Sequence, residues 1–342
     1  MAIYHLDCSS GIAGDMFLGA CLDLGMPVEV LSDMVARLGL PEIGVETRKA
    51  SRGGFVGTRF RVLENGRPVE GPDPEEHEHH HHHHDHEHHH DHDHDHHRHH
   101  GHTRGLAEIR ELIQRSALSE PVQERALQLF QRLGEAEAKA HGMPVERVHF
   151  HEVGAIDSIV DLVGAAAAIE FLAPERLTCG PVNLGSGRVR MAHGEVSIPA
   201  PATAELLRGV PVFGGPGGEL TTPTGAVILA ELVDEYVELP AMVLEGVGYG
   251  LGKKDLPTHP NALRLLRGRS AVVRDQTRAE VMVVEAEIDD LPGEGFGFLM
   301  ERLLEAGALD VYFTPVQMKK SRPGTLVTLL CRRPKLEELA GI

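Results

Sequence analysis

Short apolar runs alternate along this chain with amphipathic stretches and glycine turns. Residues 2–6 predict a buried strand that runs into Cys8-Ser9-Ser10-Gly11-Ile12-Ala13-Gly14. The apolar spacing over 15–24 then predicts a helix stopped by Gly25. A second helix is expected from Pro27, whose fixed φ suits a first turn, and strands over 43–50 and 55–63 flank Arg52-Gly53-Gly54. Helical periodicity returns over 106–116 and 122–140. Near the C-terminus the pattern reads strand 280–288, helix 296–306, strand 308–316, a turn at Ser321-Arg322-Pro323-Gly324 and strand 325–331, with a last helix beginning near Pro334. That β-α-β-β order is most of a ferredoxin-like unit. The patterning therefore predicts an α/β (or α+β) N-terminal domain over 1–270 and a small, incomplete ferredoxin-like α+β C-terminal domain over 279–342.

One stretch breaks the pattern. Between 71 and 102, His, Asp and Glu nearly exclude everything else, and no apolar side chain is available to offset the entropy of ordering the backbone. Because helices resume after it, this predicts a His-rich insertion within the first domain, disordered without metal. His79, His80, His81, His82, His83, His84, His88, His89, His90, His96 and His97 offer overlapping imidazole sites for borderline divalent metals. The interleaved Asp85, Glu87, Asp91, Asp93 and Asp95 add negative charge. The alternatives are a solvated polar linker and an expression tag, but a tag would be terminal and would not alternate with Asp. Imidazole alone does not select one such metal, although copper generally binds these sites most tightly.

Composition narrows the class further. Of 342 residues, 42% are hydrophobic and 25% charged, as in a soluble globular protein. The formal charge of −18 disfavours nucleic acid and anionic lipid, and 4% aromatic with no Trp argues against a base-stacking surface. There is no basic leader and no apolar run of membrane-span length, so a cytoplasmic location is expected. Cys8, Cys21, Cys179 and Cys331 contain no C-x-x-C pair and read as four reduced thiols.

A second constellation spans 148–161. A strand end here would put His149 and His151 on one face, and a following helix would align Asp157 with Asp161 at i, i+4. Two imidazoles and two carboxylates at a strand-to-helix junction suit a divalent metal or a general base, while carboxylates near a helix N-terminus also have a purely structural rationale. The glycine-rich Asn183-Leu184-Gly185-Ser186-Gly187 and Thr221-Thr222-Pro223-Thr224-Gly225 suit either anion contact through backbone amides or simple turns and helix caps. The segment Gly246 to Lys254 misses the P-loop register, with Val247 at the first glycine position and Lys254 at the Ser/Thr position. In the C-terminal unit, Asp289 and Asp290 follow a strand, and Lys319, Lys320 and Arg322 sit at a hairpin. Together they suit a metal-bound triphosphate, or else a solvated hairpin tip.

Several separated motifs, in order, resemble the LarC family of nickel insertion proteins. They are Asp7-Cys8-Ser9-Ser10-Gly11-Ile12-Ala13-Gly14-Asp15-Met16, the His149-Phe150-His151-Glu152-Val153-Gly154-Ala155 block with Asp157-Ser158 and Asp161, Asn183 to Gly187, His193-Gly194, Pro199-Ala200-Pro201-Ala202, Thr221 to Gly225, and Ile288-Asp289-Asp290 with Met318-Lys319-Lys320-Ser321-Arg322-Pro323-Gly324. The resemblance implies CTP-dependent insertion of Ni(2+) into pyridinium-3,5-bisthiocarboxylic acid mononucleotide, giving the nickel-pincer cofactor of lactate racemase-type enzymes through two nickel-sulfur bonds and one nickel-carbon bond. It implies that CTP binds with Mn(2+) or Mg(2+) at the C-terminal domain, where Asp289, Asp290, Lys319, Lys320 and Arg322 are the candidates. His149, His151, Asp157 and Asp161 are the candidates for metal contact or for taking the ring proton. Expected partners are this mononucleotide, the recipient nickel-pincer enzyme and further copies of the chain in a homo-oligomer. Readings of another class are a non-catalytic nickel store or metallochaperone and a nucleotide-binding regulatory module.

Overall fold

The computed structural model describes residues 2–70, 104–148, 150, 154–191, 194–256, 259–271 and 281–342. It divides into two compact units, 1–271 and 272–342.

The first unit runs β1 (Ile3–Asp7), α1 (Gly14–Asp23), α2 (Glu29–Leu38), β2 (Ile43–Arg52), β3 (Phe55–Glu64), β4 (Arg67–Pro68), α3 (Leu106–Arg115), α4 (Glu120–His141) and α5 (Ile156–Leu172). It continues with β5 (Arg176–Cys179), β6 (Val182–Asn183), β7 (Arg188–Met191), β8 (Gly194–Ser197), α6 (Pro201–Leu206), β9 (Val212–Phe213), α7 (Pro223–Leu232), β10 (Glu235–Tyr236), β11 (Met242–Leu251) and β12 (Ala262–Ser270). Most of the strands form one mixed sheet in the order β10-β5-β1-β12-β11-β3-β2, with β4 added beside β3. β1 pairs parallel with β5 and antiparallel with β12, so the N-terminal strand lies inside the sheet. The β2–β3 hairpin turns at Gly53 and Gly54, whose φ values of 52° and 83° are those a two-residue hairpin turn demands.

Helix ends follow their sequence signals. Gly39 and Gly142 close α2 and α4 in the left-handed region, and Pro121 and Pro223 sit in first turns. Apart from Asp157 and Asp161 near its start, α5 is largely apolar, and it is buried from Ile159 to Ile169, wedged among α1, α2, α4 and α7. α1 lies against β3, β11 and β12. Alternate glycines of β11 make that approach possible: a Cβ on Gly250 would stand 1.7 Å from the Met16 carbonyl oxygen, and one on Gly248 2.2 Å from that of Ala20. The glycine run that missed the P-loop register is thus the groove in which α1 lies.

The second unit runs β13 (Val281–Ile288), α8 (Gly293–Glu305), β14 (Asp310–Met318), β15 (Arg322–Arg332) and α9 (Leu336–Ala340). β15 lies between β13 and β14, antiparallel to both, which is the arrangement of a split β-α-β unit. One face of the sheet, including Val284, Phe313, Val327 and Leu329, packs with Leu303 of α8 and Leu339 of α9. Pro315 is accommodated because β14 is an edge strand.

Candidate functional site

The start of α1 meets the first turn of α7 and the second turn of α5. Ile12 accepts from the Thr222 amide at 3.1 Å and donates to Leu220 O at 3.0 Å, and a Cβ on Gly225 would stand 2.2 Å from the Ile12 carbonyl. Immediately after Ile12, Gly14 opens α1 against Asp161 in the second turn of α5. A Cβ at Gly14 would lie 2.5 Å from Asp161 Oδ2.

Around this junction sits a buried carboxylate cluster. Arg59, fully buried in β3, reaches Asp15 through Nη1 and donates to Glu70 Oε2 through Nη2 at 2.5 Å. Lys253 donates to the carbonyl of Glu70. Asp15 Oδ1 accepts from the Met16 amide at 2.9 Å, and Asp157 Oδ1 from the Ser158 amide at 2.8 Å. Asp161 makes no hydrogen bond or ion pair with any described residue. Burial, then the neighbouring Asp15, Asp157 and Glu70, push its carboxyl well above the usual carboxylate range, against the opposing effect of Arg59. Asp15 is raised by burial, partly offset by Arg59. Glu70 is raised by burial and by Asp15, and Asp157 by burial against the opposing Ser158 amide. Ionisation of any one of Asp15, Glu70 and Asp161 therefore opposes ionisation of the others, and the Arg59 guanidinium favours all three charged forms. Among the described residues, no group of three or more His, Cys, Asp or Glu side chains is already gathered about a metal position.

The i, i+4 reading thus finds Asp157 and Asp161 together on α5, but Asp15, Arg59 and Glu70 were not anticipated as their neighbours. His149 and His151 lie outside the described residues, as does the whole His79 to His97 set. The expected strand around the histidines is not formed at their described neighbours. Val148 and Phe150 are in no strand, and are instead buried in the helical core, with the Phe150 ring edge-on to Phe130 at 6.5 Å. Extended backbone here finds no strand to pair with. Glu70 is the last described residue before the insertion and Arg104 the first after it. The Arg104 amide donates to Gly154 O at 3.2 Å, just ahead of α5, so the described flanks of the His-rich segment both lie beside the cluster.

The other glycine motifs hold one another. Asn183 Nδ2 donates to Ser9 O at 2.8 Å, Asn183 Oδ1 accepts from the Gly185 amide at 3.0 Å, and Thr221 Oγ1 donates to Asn183 O at 2.8 Å. Thr222 caps α7 by accepting from the Gly225 amide. The groups offered for anion contact are largely used in joining these loops. A cleft of 440 Å³ lined by Arg125, Glu170, Glu231 and Asp234 lies at the far end of α5 and includes none of the cluster.

In the second unit the register pairs Ile288 with Thr325 and Met318 with Arg322. Asp289 and Asp290 therefore share one end of the sheet with Lys319, Lys320 and Arg322. All five are exposed, and Arg322 Nη1 stands 3.6 Å from Asp289 Oδ2. Lys320 and Ser321 adopt φ of 62° and 57°, a conformation that costs L-residues roughly 1–2 kcal/mol each.

The architecture and the cluster describe an α/β protein with a buried group of carboxyls where helix N-termini pack together. The nickel insertion protein family model matches residues 4–342. Putative nickel insertion proteins of Citrifermentans bemidjiense and Geobacter metallireducens are 45% and 44% identical, each over 100% of this chain and 80% of the relative. The pyridinium-3,5-bisthiocarboxylic acid mononucleotide nickel insertion protein of Geobacillus kaustophilus is 42% identical over 99% of this chain and 79% of its own length. A solved structure of LarC2, the C-terminal domain of a cyclometallase involved in the synthesis of the NPN cofactor of lactate racemase, matches 17% of this chain and 43% of that chain at 50% identity, with a TM-score of 0.17. The chain belongs to the nickel insertion protein family. No helix among the described residues is long and apolar enough to cross a membrane.

Proposed function

We propose that this protein is an enzyme of the metal-ligand bond-forming lyase class. It inserts nickel into pyridinium-3,5-bisthiocarboxylic acid mononucleotide in a CTP-dependent reaction. The observation that carries the reading is the similarity, at 42% identity over 99% of this chain, to a protein named for that insertion. The packing of two separated motif blocks against each other, Gly14 on Asp161, supports a shared site. Nickel is the cargo, collected by the His-rich segment and handed to the mononucleotide. Forming a nickel-carbon bond releases a ring proton, and His149, His151, Asp157 and Asp161 divide the work of accepting it and contacting metal. Asp289 and Asp290 hold the Mn(2+) or Mg(2+) of the nucleotide while Lys319, Lys320 and Arg322 neutralise its phosphates. The backbone strain at Lys320 and Ser321 supports a ligand role for that turn. The product serves a nickel-pincer enzyme, and the chain works in the cytoplasm as a homo-oligomer.

Mass analysis of the mononucleotide after incubation with this protein, nickel, CTP and Mn(2+) tests the proposal. A nickel adduct that needs CTP is expected. An unchanged mass with all components present sinks it.

A further inference from the structure

The cluster gathers four carboxyls around one buried guanidinium, with Lys253 reaching the Glu70 carbonyl. Asp15 and Glu70 share Arg59, and Asp157 has a backbone amide, but Asp161, at only 8% exposure, makes no hydrogen bond or ion pair with any described residue, and Arg59 acts on it only at longer range. A buried carboxyl is normally hydrogen-bonded, paired with a cation or bound to a metal. Moreover, the chain makes specific room for this one, since any side chain at position 14 would occupy the space of Asp161 Oδ2. Position 161 could have been filled by an apolar residue, like its neighbours Val160 and Leu162, both fully buried.

We infer that Asp161, with Asp157 and Asp15, forms a site for a hard divalent cation of the Mg(2+) or Mn(2+) type, distinct from the nickel cargo and from the nucleotide-bound ion. All-oxygen ligation by carboxylates suits such ions, whereas nickel is drawn to imidazole. The described carboxylate oxygens are not gathered about one point, and Arg59 holds Asp15 and Glu70 on its two nitrogens. Cation entry requires Asp15 to leave Arg59, which retains Glu70. The inference rests on the proposed function only for its place in the reaction, where it leaves the proton-accepting role to His149 or His151.

Thermal unfolding of the full chain with and without Mn(2+) tests the site without any turnover. Carboxylates and imidazoles of the His-rich segment take up Mn(2+) whether or not the first unit is folded and so contribute little to the shift, whereas a cation held only by the folded cluster raises the melting temperature. At free Mn(2+) about ten times the dissociation constant, the wild-type transition should rise by a few degrees. Asp161→Asn should melt at or above the metal-free wild type, because it removes an unpaired buried carboxyl, and should lose the shift. Should that variant fail to fold, Asp157→Asn reads the same difference. No shift in the wild type, or an equal shift in the folded variant, overturns the site. A shift without nickel insertion sinks the proposed function and leaves the site standing.

Discussion

Gly14 and Asp161 touch where two helices begin: a methyl group on Gly14 would lie 2.5 Å from Asp161 Oδ2 and 2.6 Å from its Cβ. Gly14→Ala is expected to destabilise the first unit by about 1–3 kcal/mol, the usual range for overpacking a tight contact. Combining it with Asp161→Ala should recover part of that loss. Urea unfolding of the two single variants and the double variant gives the coupling, and strict additivity would mean that the two residues do not meet.

Asp23, at the end of α1, ties three strands together. It accepts from Lys49, from Thr58 Oγ1 at 2.7 Å and from the Tyr249 amide at 2.9 Å. Burial raises its carboxyl, but the bonds from Lys49, Tyr249 and Thr58 outweigh burial and leave it below its ordinary value of 3.8. A lowered folded value means stability that is present above 3.8 and lost as pH falls through the folded value. Asp23→Asn should therefore cost about 1–2 kcal/mol near neutral pH, with the exposed Lys49 contributing least. The gap between variant and wild type should close on acidification. A gap that stays constant from pH 7 to pH 3 contradicts the assignment.

Gly250→Ala has no soft neighbour to displace, since its Cβ would meet the Met16 carbonyl at 1.7 Å and the Ala20 amide nitrogen at 2.6 Å. We expect a loss above about 4 kcal/mol, enough to abolish soluble expression of a marginally stable domain. By contrast, Gly66→Ala, where a Cβ meets nothing within 4 Å, should show only the strain of its positive φ. Solubility and melting of the pair check the contrast.

At the other end of the chain, Lys319→Ala should leave the melting of the second unit unchanged, because the turn is exposed and surface charges there contribute about 0–1 kcal/mol. If the turn holds phosphates, the same change should weaken CTP binding by roughly 1.5–3 kcal/mol, the scale of a charge-assisted hydrogen bond. Equilibrium binding of labelled CTP with Mn(2+) measures it, and an unchanged affinity removes Lys319 from the site.

Local chemistry made much of this molecule legible. Gly25, Gly53 and Gly54 mark their turns through conformations that other residues rarely adopt, and the β2–β3 hairpin and the order of elements in the second unit follow from periodicity. Asp157 and Asp161 were visible because helical spacing is local. Arg59 and Glu70 were not, because Arg59 on a strand has no sequence feature that announces its reach to α1, and Glu70 follows a two-residue strand. Asp15 stood in plain view, yet it reads equally well as an ordinary acidic first-turn residue. The strand expected near Phe150 failed for a similar reason. Extended backbone becomes a strand only when a partner edge is available, and that is decided by the rest of the fold.

The position of β12 has a consequence for how the protein is made. On one side of it lie β10, β5 and β1, on the other β11, β3 and β2, and among the described residues no other pairing joins the two sides. β12 is also the last strand of the sheet to leave the ribosome. Until residues 262–270 emerge, β1 presents one open edge and β11 presents another, and each invites pairing with foreign strands. A ribosome stalled ahead of that segment therefore holds two half-sheets with no hydrogen bonds between them, and the junction of α1 with α5 forms on a platform that is finished only when translation passes residue 270.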